Sequence, residues 1–249
     1  MSRDGRAVSG GRRASSQLRG LREYYLLSRQ PWHSLLFILP MLLAHELGQY
    51  RGLGGEAERL AVVAYNLICR FFELIGLWRS WFAAITVIVP LIAWHLVRRD
   101  SWRVEPAVPV GMLAECGLLS LPLLAIGALL RLHLPLAART SGADPFVIHL
   151  GAGIYEELVF RMLLFGILHL ILIDLLEMRR NAAWAVMIPL GAALFSAYHY
   201  LGLDPVSPGD AVFFAVAGAY FGCVYLARGY GITVGTHALY DVLVWAMAR

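Results

Sequence analysis

The sequence predicts an all-α fold, a polytopic membrane helix bundle of about eight transmembrane helices, with seven as the alternative count. Three observations carry this. Of 249 residues, 59% are apolar and only 15% are charged, where soluble domains carry about 25% charged residues. Mean hydropathy is +0.64. The apolar residues also fall in successive runs close to the roughly 20 that one membrane crossing requires. A soluble enzyme with one anchor, a secreted disulfide scaffold and a nucleic-acid-binding domain are excluded.

Taken in order, the chain opens with a polar leader rich in Gly, Ser and Arg. It reads as a flexible Arg-rich cytoplasmic tail over residues 1–30, too hydrophilic for a signal-peptide core. The membrane-embedded domain then covers 31–249. The first run is 31–47, followed by a Gly/Arg-rich loop at 48–59. Run 60–78 is the doubtful span, because it contains Arg70 and Glu73, three apart and able to pair on one helical face. Run 81–97 is closed by Arg98, Arg99, Asp100 and Arg103. Run 110–132 precedes a loop at 133–145. The long run 146–173 carries His149, Glu156, Glu157, Arg161 and His169. Run 182–201 ends at His199, a turn-rich loop covers 201–210, and runs 211–227 and 232–248 are split at Arg228-Gly229-Tyr230-Gly231.

Net charge is +4, and all 21 basic residues are Arg. Seven of them, from Arg3 to Arg29, precede the first run, which keeps the N-terminus in the cytoplasm by the positive-inside rule and lets it touch anionic headgroups. With eight spans the clusters at 98–103 and 179–180 fall outside. If 60–78 lies in the interface instead, both clusters move inside and the C-terminus moves out. Cys69, Cys116 and Cys223 are isolated in apolar runs, so neither a disulfide framework nor a thiolate metal site is expected.

Ionisable groups inside a membrane cost about 2.5–3.5 kcal/mol each at a helix centre, so they mark function. Three motifs concentrate them within 146–245. In GIYEELVFRMLLFG, Glu157 and Arg161 stand at i,i+4 and can form a one-turn ion pair. Glu156 lies 100° round the helix, free to face a cavity as a general base. Next comes Phe195-x-x-x-His199, flanked by Tyr198 and Tyr200. Last is His237-x-x-x-Asp241, again i,i+4, where the Asp can fix the imidazole tautomer or both can face one ligand.

In this order and spacing the three motifs resemble the CPBP intramembrane proteases, which include the type II CAAX prenyl endopeptidases and the abortive-infection and bacteriocin-processing homologues. Arg228-Gly229 also resembles the lead-in to the third motif. The resemblance implies a membrane-embedded bundle of about eight spans that cleaves peptide bonds near the membrane surface. Carried over, Glu156 activates the water, His199 assists it, and His237 and residue 241 bind the oxyanion or orient the substrate carbonyl. Many members have Asn where this chain has Asp241, and an ionised Asp donates no hydrogen bond. The catalytic set is therefore Glu156, Glu157, His199, His237 and Asp241, with Arg161 in a structural ion pair.

No cofactor is required by this reading. Zinc is the alternative, with Glu156, His199, His237 and Asp241 as its ligands and an open position for water. The expected partners are the lipid bilayer and a membrane-associated peptide or protein, CAAX-type prenylated substrates included, and no nucleic acid. The expected location is a bacterial inner (cytoplasmic) membrane. Two rival classes are a proton-coupled transporter, which the absence of an internal repeat disfavours, and a catalytically silent membrane scaffold. Outside the motifs, His45-Glu46-Leu47-Gly48-Gln49 is half of a zinc-protease signature. His45 and Glu46 read as the interfacial end of the first span, His33, His95 and His133 as interfacial, and His149 as a candidate to share the Glu156 face.

Overall fold

The computed structural model describes residues 20–50, 62–77, 81–129, 145–201 and 206–247, and all regular structure there is helical. Helix α1 covers 20–28. It is followed by α2 (Pro31–Tyr50), α3 (Val63–Leu74), α4 (Phe82–Arg98) and α5 (Ala107–Leu129). The long α6 runs from Pro145 to Leu175 and changes pitch on the way, with π-helical turns at Leu158–Leu163 and Leu170–Leu175. Helices α7 (Arg180–Tyr198), α8 (Pro208–Arg228) and α9 (Tyr230–Met247) complete the bundle, and a 3-10 turn at His199–Leu201 closes α7.

Four of these helices are long and apolar enough to cross a membrane: Ala107–Leu129, Phe146–Leu175, Arg180–Leu201 and Pro208–Arg228. Phe82–Arg98 is shorter but apolar. Prolines 40, 90, 122 and 189 sit inside helices, as membrane helices allow where neighbours satisfy the freed carbonyls. The start of α8 is a capping box: the Ser207 hydroxyl takes the Asp210 N–H, the Asp210 carboxylate takes the Ser207 N–H, and Pro208 occupies the first turn. The expected corner at 228–231 narrows to Gly229 alone, with φ +82°, since Tyr230 and Gly231 are already helical.

Run 60–78 is corrected by the structure. Only Val63–Leu74 is helical, about 18 Å at 1.5 Å per residue against about 30 Å of hydrocarbon. Its position agrees. The Trp32 ring near the start of α2 meets Trp102, and Trp102 meets His95 near the end of α4, so α2 and α4 run antiparallel. Phe72 of α3 stacks on Phe82 at the start of α4, so α3 joins the two without crossing the bundle. Arg70 and Glu73 are exposed and form no ion pair among the described residues.

The start of α2, the end of α4 and the α8–α9 corner gather at one end. There Arg228 bonds Glu115 of α5 at 2.5 and 2.7 Å and Ser28 at 2.8 Å, while Tyr24 of α1 donates to Glu115 at 2.6 Å. The last part of the expected tail is thus a helix tied to the bundle, and residues 1–19 lie outside the described ones. Three histidines expected at span ends are also buried within the protein. His33, His45 and His95 are at most 1% exposed, and aromatic rings close over two of them: Trp32 and Trp102 about His95, Tyr65 and Tyr155 about His45. Glu46 points inward as well, accepting from the Tyr155 hydroxyl at 2.6 Å. His133 lies outside the described residues.

Candidate active site

Helices α6, α7, α8 and α9 bring the three motifs to one buried place. Small residues allow the approach: a Cβ on Gly153 of α6 would stand 2.8 Å from the backbone of Ala238 in α9, and one on Gly218 of α8 would stand 2.9 Å from Ala192 Cα in α7. His237 sits one residue from that first contact, opposite Glu156 and Glu157.

Glu157 is the hub. Its Oε1 accepts from His237 Nδ1 at 2.7 Å and from Arg161 Nη1 at 3.0 Å. Arg161, on the π-helical turn that follows Glu157, gives its Nη2 to the Gly218 carbonyl at 3.0 Å. Its guanidinium carbon lies 4.5 Å from the Phe195 ring centre and 5.4 Å from that of Phe221, cation–π contacts that strengthen in a dry interior. Phe221 also stacks on the His237 ring at 4.6 Å. With side-chain exposures of 0% for Glu157 and 1% for Arg161, this half is closed to solvent and satisfied, apart from Glu157 Oε2.

Glu156 and Asp241 stand on the other face of His237. The His237 Nε2 is 3.9 Å from Glu156 Oε2 and 3.5 Å from Asp241 Oδ2. Glu156 and Asp241 keep 10% and 16% of their side chains exposed. Asp241 thus faces His237 at Nε2, as an i,i+4 pair can, while the short bond to Nδ1 comes from Glu157, across 80 residues of sequence. A pairing across helices leaves no trace in local spacing.

His199 is anchored by its own helix and by α8. It caps α7, its Nδ1 bonds the Phe195 carbonyl at 2.7 Å, and its ring stacks on Phe214 at 3.7 Å. With Nδ1 carrying the proton, Nε2 is the acceptor nitrogen. Phe195 stands between the two imidazoles, 4.7 Å from the His199 ring and 6.1 Å from that of His237. The adjacent Tyr198 was read from sequence only as an aromatic neighbour, yet its hydroxyl donates to Glu156 Oε1 at 3.4 Å. His149 is buried near Trp245, with its Nε2 unpartnered among the described residues.

Among the described residues, no three His, Cys, Asp or Glu side chains are grouped so as to hold a metal ion. No ion pair or hydrogen bond links His199 to Glu156, His237 or Asp241 among the described residues. The chemistry available is that of a carboxylate, two imidazoles in different surroundings and a second carboxylate beside them.

Comparison with curated proteins and with solved structures returned no match. A family model does match: residues 140–243, less than half of the chain but including all three motifs, fit the type II CAAX prenyl endopeptidase Rce1-like family. That stretch holds α6 to α9 as far as Leu243, the helices that build the site. With four helices long and apolar enough to cross a membrane, the chain is an integral membrane protein whose residues 140–243 are similar to the Rce1-like family of type II CAAX prenyl endopeptidases.

Proposed function

We propose that the protein is an intramembrane endopeptidase that hydrolyses peptide bonds of membrane-associated substrates with a water activated by Glu156 and His199. The observation that carries the reading is the meeting of Glu156, Glu157, His237 and Asp241 round one imidazole inside the Rce1-like segment. Separate burial of four such groups in lipid would leave them unsatisfied. Each takes a distinct task.

Glu156, the less encumbered carboxylate, takes a proton from water while His199 Nε2 accepts a hydrogen bond from the O–H that remains. The hydroxide adds to the scissile carbonyl carbon. His237, steered at Nδ1 by Glu157, turns Nε2–H toward the developing oxyanion, the place where preorganised donors act most strongly. Glu156 then returns its proton to the leaving amine as the C–N bond breaks. Arg161 neutralises Glu157 and keeps the hub in place. No step runs through a metal. The protein works in a bacterial inner membrane, and its substrates include CAAX-type prenylated peptides only if a prenylated partner is present there.

The test uses purified protein in vesicles with a panel of membrane-tethered peptides, farnesylated and unmodified. Cleavage of at least one peptide by the wild type, lost in both Glu156→Gln and His199→Ala, is the expected result. Cleavage that survives Glu156→Gln overturns the proposal.

A further inference from the structure

Glu156 and Glu157 are neighbours in the chain with unequal surroundings. Glu157 Oε1 receives two donors, the guanidinium of Arg161 and the imidazole of His237. Glu156 has no cationic group nearer than the 3.9 Å of His237 Nε2, and among the described residues its one hydrogen-bond donor is the Tyr198 hydroxyl at 3.4 Å. A group that must move a proton needs orientation without being locked, and such bonds are often long before substrate binds and shorten once it does.

Tyr198 is itself held. Its hydroxyl oxygen accepts the Ala64 N–H at 2.7 Å. Ala64 lies in the first turn of α3, where backbone N–H groups have no partner within the helix. The residue before that turn, Val62, supplies no side-chain cap. Tyr198 from α7 does so instead, across 134 residues of sequence. With that lone pair engaged, the phenolic O–H is directed at the nearest acceptor, Glu156 Oε1. The ring is fixed edge-on to Phe160 at 5.1 Å and to His199 at 5.3 Å. The positive end of α3 thus reaches the carboxylate through one hydroxyl. The far side of α3 presents Leu67, Phe71 and Leu74 outward, so the helix has one face on the site and one free of the bundle.

We infer that Tyr198 is a positioning residue for Glu156, its hydroxyl set by the first turn of α3 and aiming the carboxylate at the water. The inference rests on the proposed role of Glu156. It also makes α3 the element whose displacement the base would feel first, although no ionisable residue of α3 enters the site.

The experiment compares Tyr198→Phe, Glu156→Gln and the double variant, on the tethered peptide that the wild type cleaves fastest. Tyr198→Phe keeps the ring and removes one hydrogen bond to a charged group, so kcat should fall about ten-fold with KM within about two-fold. Thermal melting should stay close to wild type. In the Glu156→Gln background, Tyr198→Phe should change the residual rate no further, because the group it positions is gone. An unchanged kcat in Tyr198→Phe beside an inactive Glu156→Gln overturns the inference and leaves the proposed function standing. So does a fall of melting temperature and kcat together that recurs in the Glu156→Gln background, which is the signature of a helix cap alone. An active Glu156→Gln overturns the proposed function, and this inference with it.

Discussion

The two sides of His237 differ in kind. On the Nδ1 side, Glu157, Arg161 and the Gly218 carbonyl form a closed network with bonds of 2.7–3.0 Å and side chains at most 1% exposed. On the Nε2 side, Glu156 and Asp241 stand 3.9 and 3.5 Å away and remain partly open. One imidazole divides a scaffold from a reaction space. Buried ion pairs contribute little net stability when intact and are costly to break, so the closed side locks geometry for the open side to use. The same residue types therefore have opposite mutational signatures, depending on which nitrogen they face.

The largest effect should come from the closed side. Arg161→Ala leaves Glu157 charged and buried with only His237 beside it, and removes the guanidinium from the Phe195 and Phe221 rings. Breaking such a pair costs about 3–5 kcal/mol, enough to deplete the folded state. The yield of monodisperse protein and its melting temperature should fall together with activity. If Arg161→Ala accumulates, melts and cleaves like the wild type, the division between the two sides is wrong.

Next is Glu156→Gln on the open side. It conserves volume and removes the base, and positioned general bases contribute about 10²–10⁴-fold. Activity should fall within that range while melting stays at the wild-type value. A marked loss of folded protein would show instead that Glu156 belongs with the scaffold. Chelation tests the same side. Because no step of the proposed mechanism uses a metal, turnover should persist through exhaustive chelator treatment followed by removal of the chelator. Loss of turnover that zinc alone restores would assign the open side to a metal.

The comparison also shows how far the sequence could be read. Glu157 and Arg161 were legible because the ion pair lies within one turn, and it survives the π-helical pitch that follows. That Glu157 also steers His237 was not legible, since the partner comes from α9. An Asp one turn from a His draws the eye first, yet Asp241 is the longer contact. Run 60–78 reads as a span by composition, and only the antiparallel pairing of α2 with α4 shows that α3 cannot cross. Histidines at the ends of apolar runs give no sign of their burial, whereas His45 and His95 are covered by rings distant in sequence, Tyr65 and Trp102. Tyr198 was hidden by its surroundings, because a tyrosine near a helix end in an apolar chain reads as a membrane-belt residue.

The smallest and sharpest effect is expected at Asp241. Glu157 already fixes the His237 ring through Nδ1, so the charge of Asp241 is not needed for orientation. Its Oδ2 lies 3.5 Å from Nε2, beside the space where the oxyanion forms. An ionised Asp offers only acceptors there, while Asn of the same size offers N–H donors. A preorganised oxyanion donor is worth about 2.7–4 kcal/mol where one exists, and Asp241→Asn supplies one in a position not shaped for it. Activity should therefore hold at the wild-type level or rise by a modest factor, with an unchanged melting temperature and no change in bound metal. A joint fall in bound zinc and turnover would make Asp241 a ligand. A fall in turnover with no metal in either protein would mean that the negative charge itself is required on the Nε2 side, holding His237 protonated as the oxyanion forms.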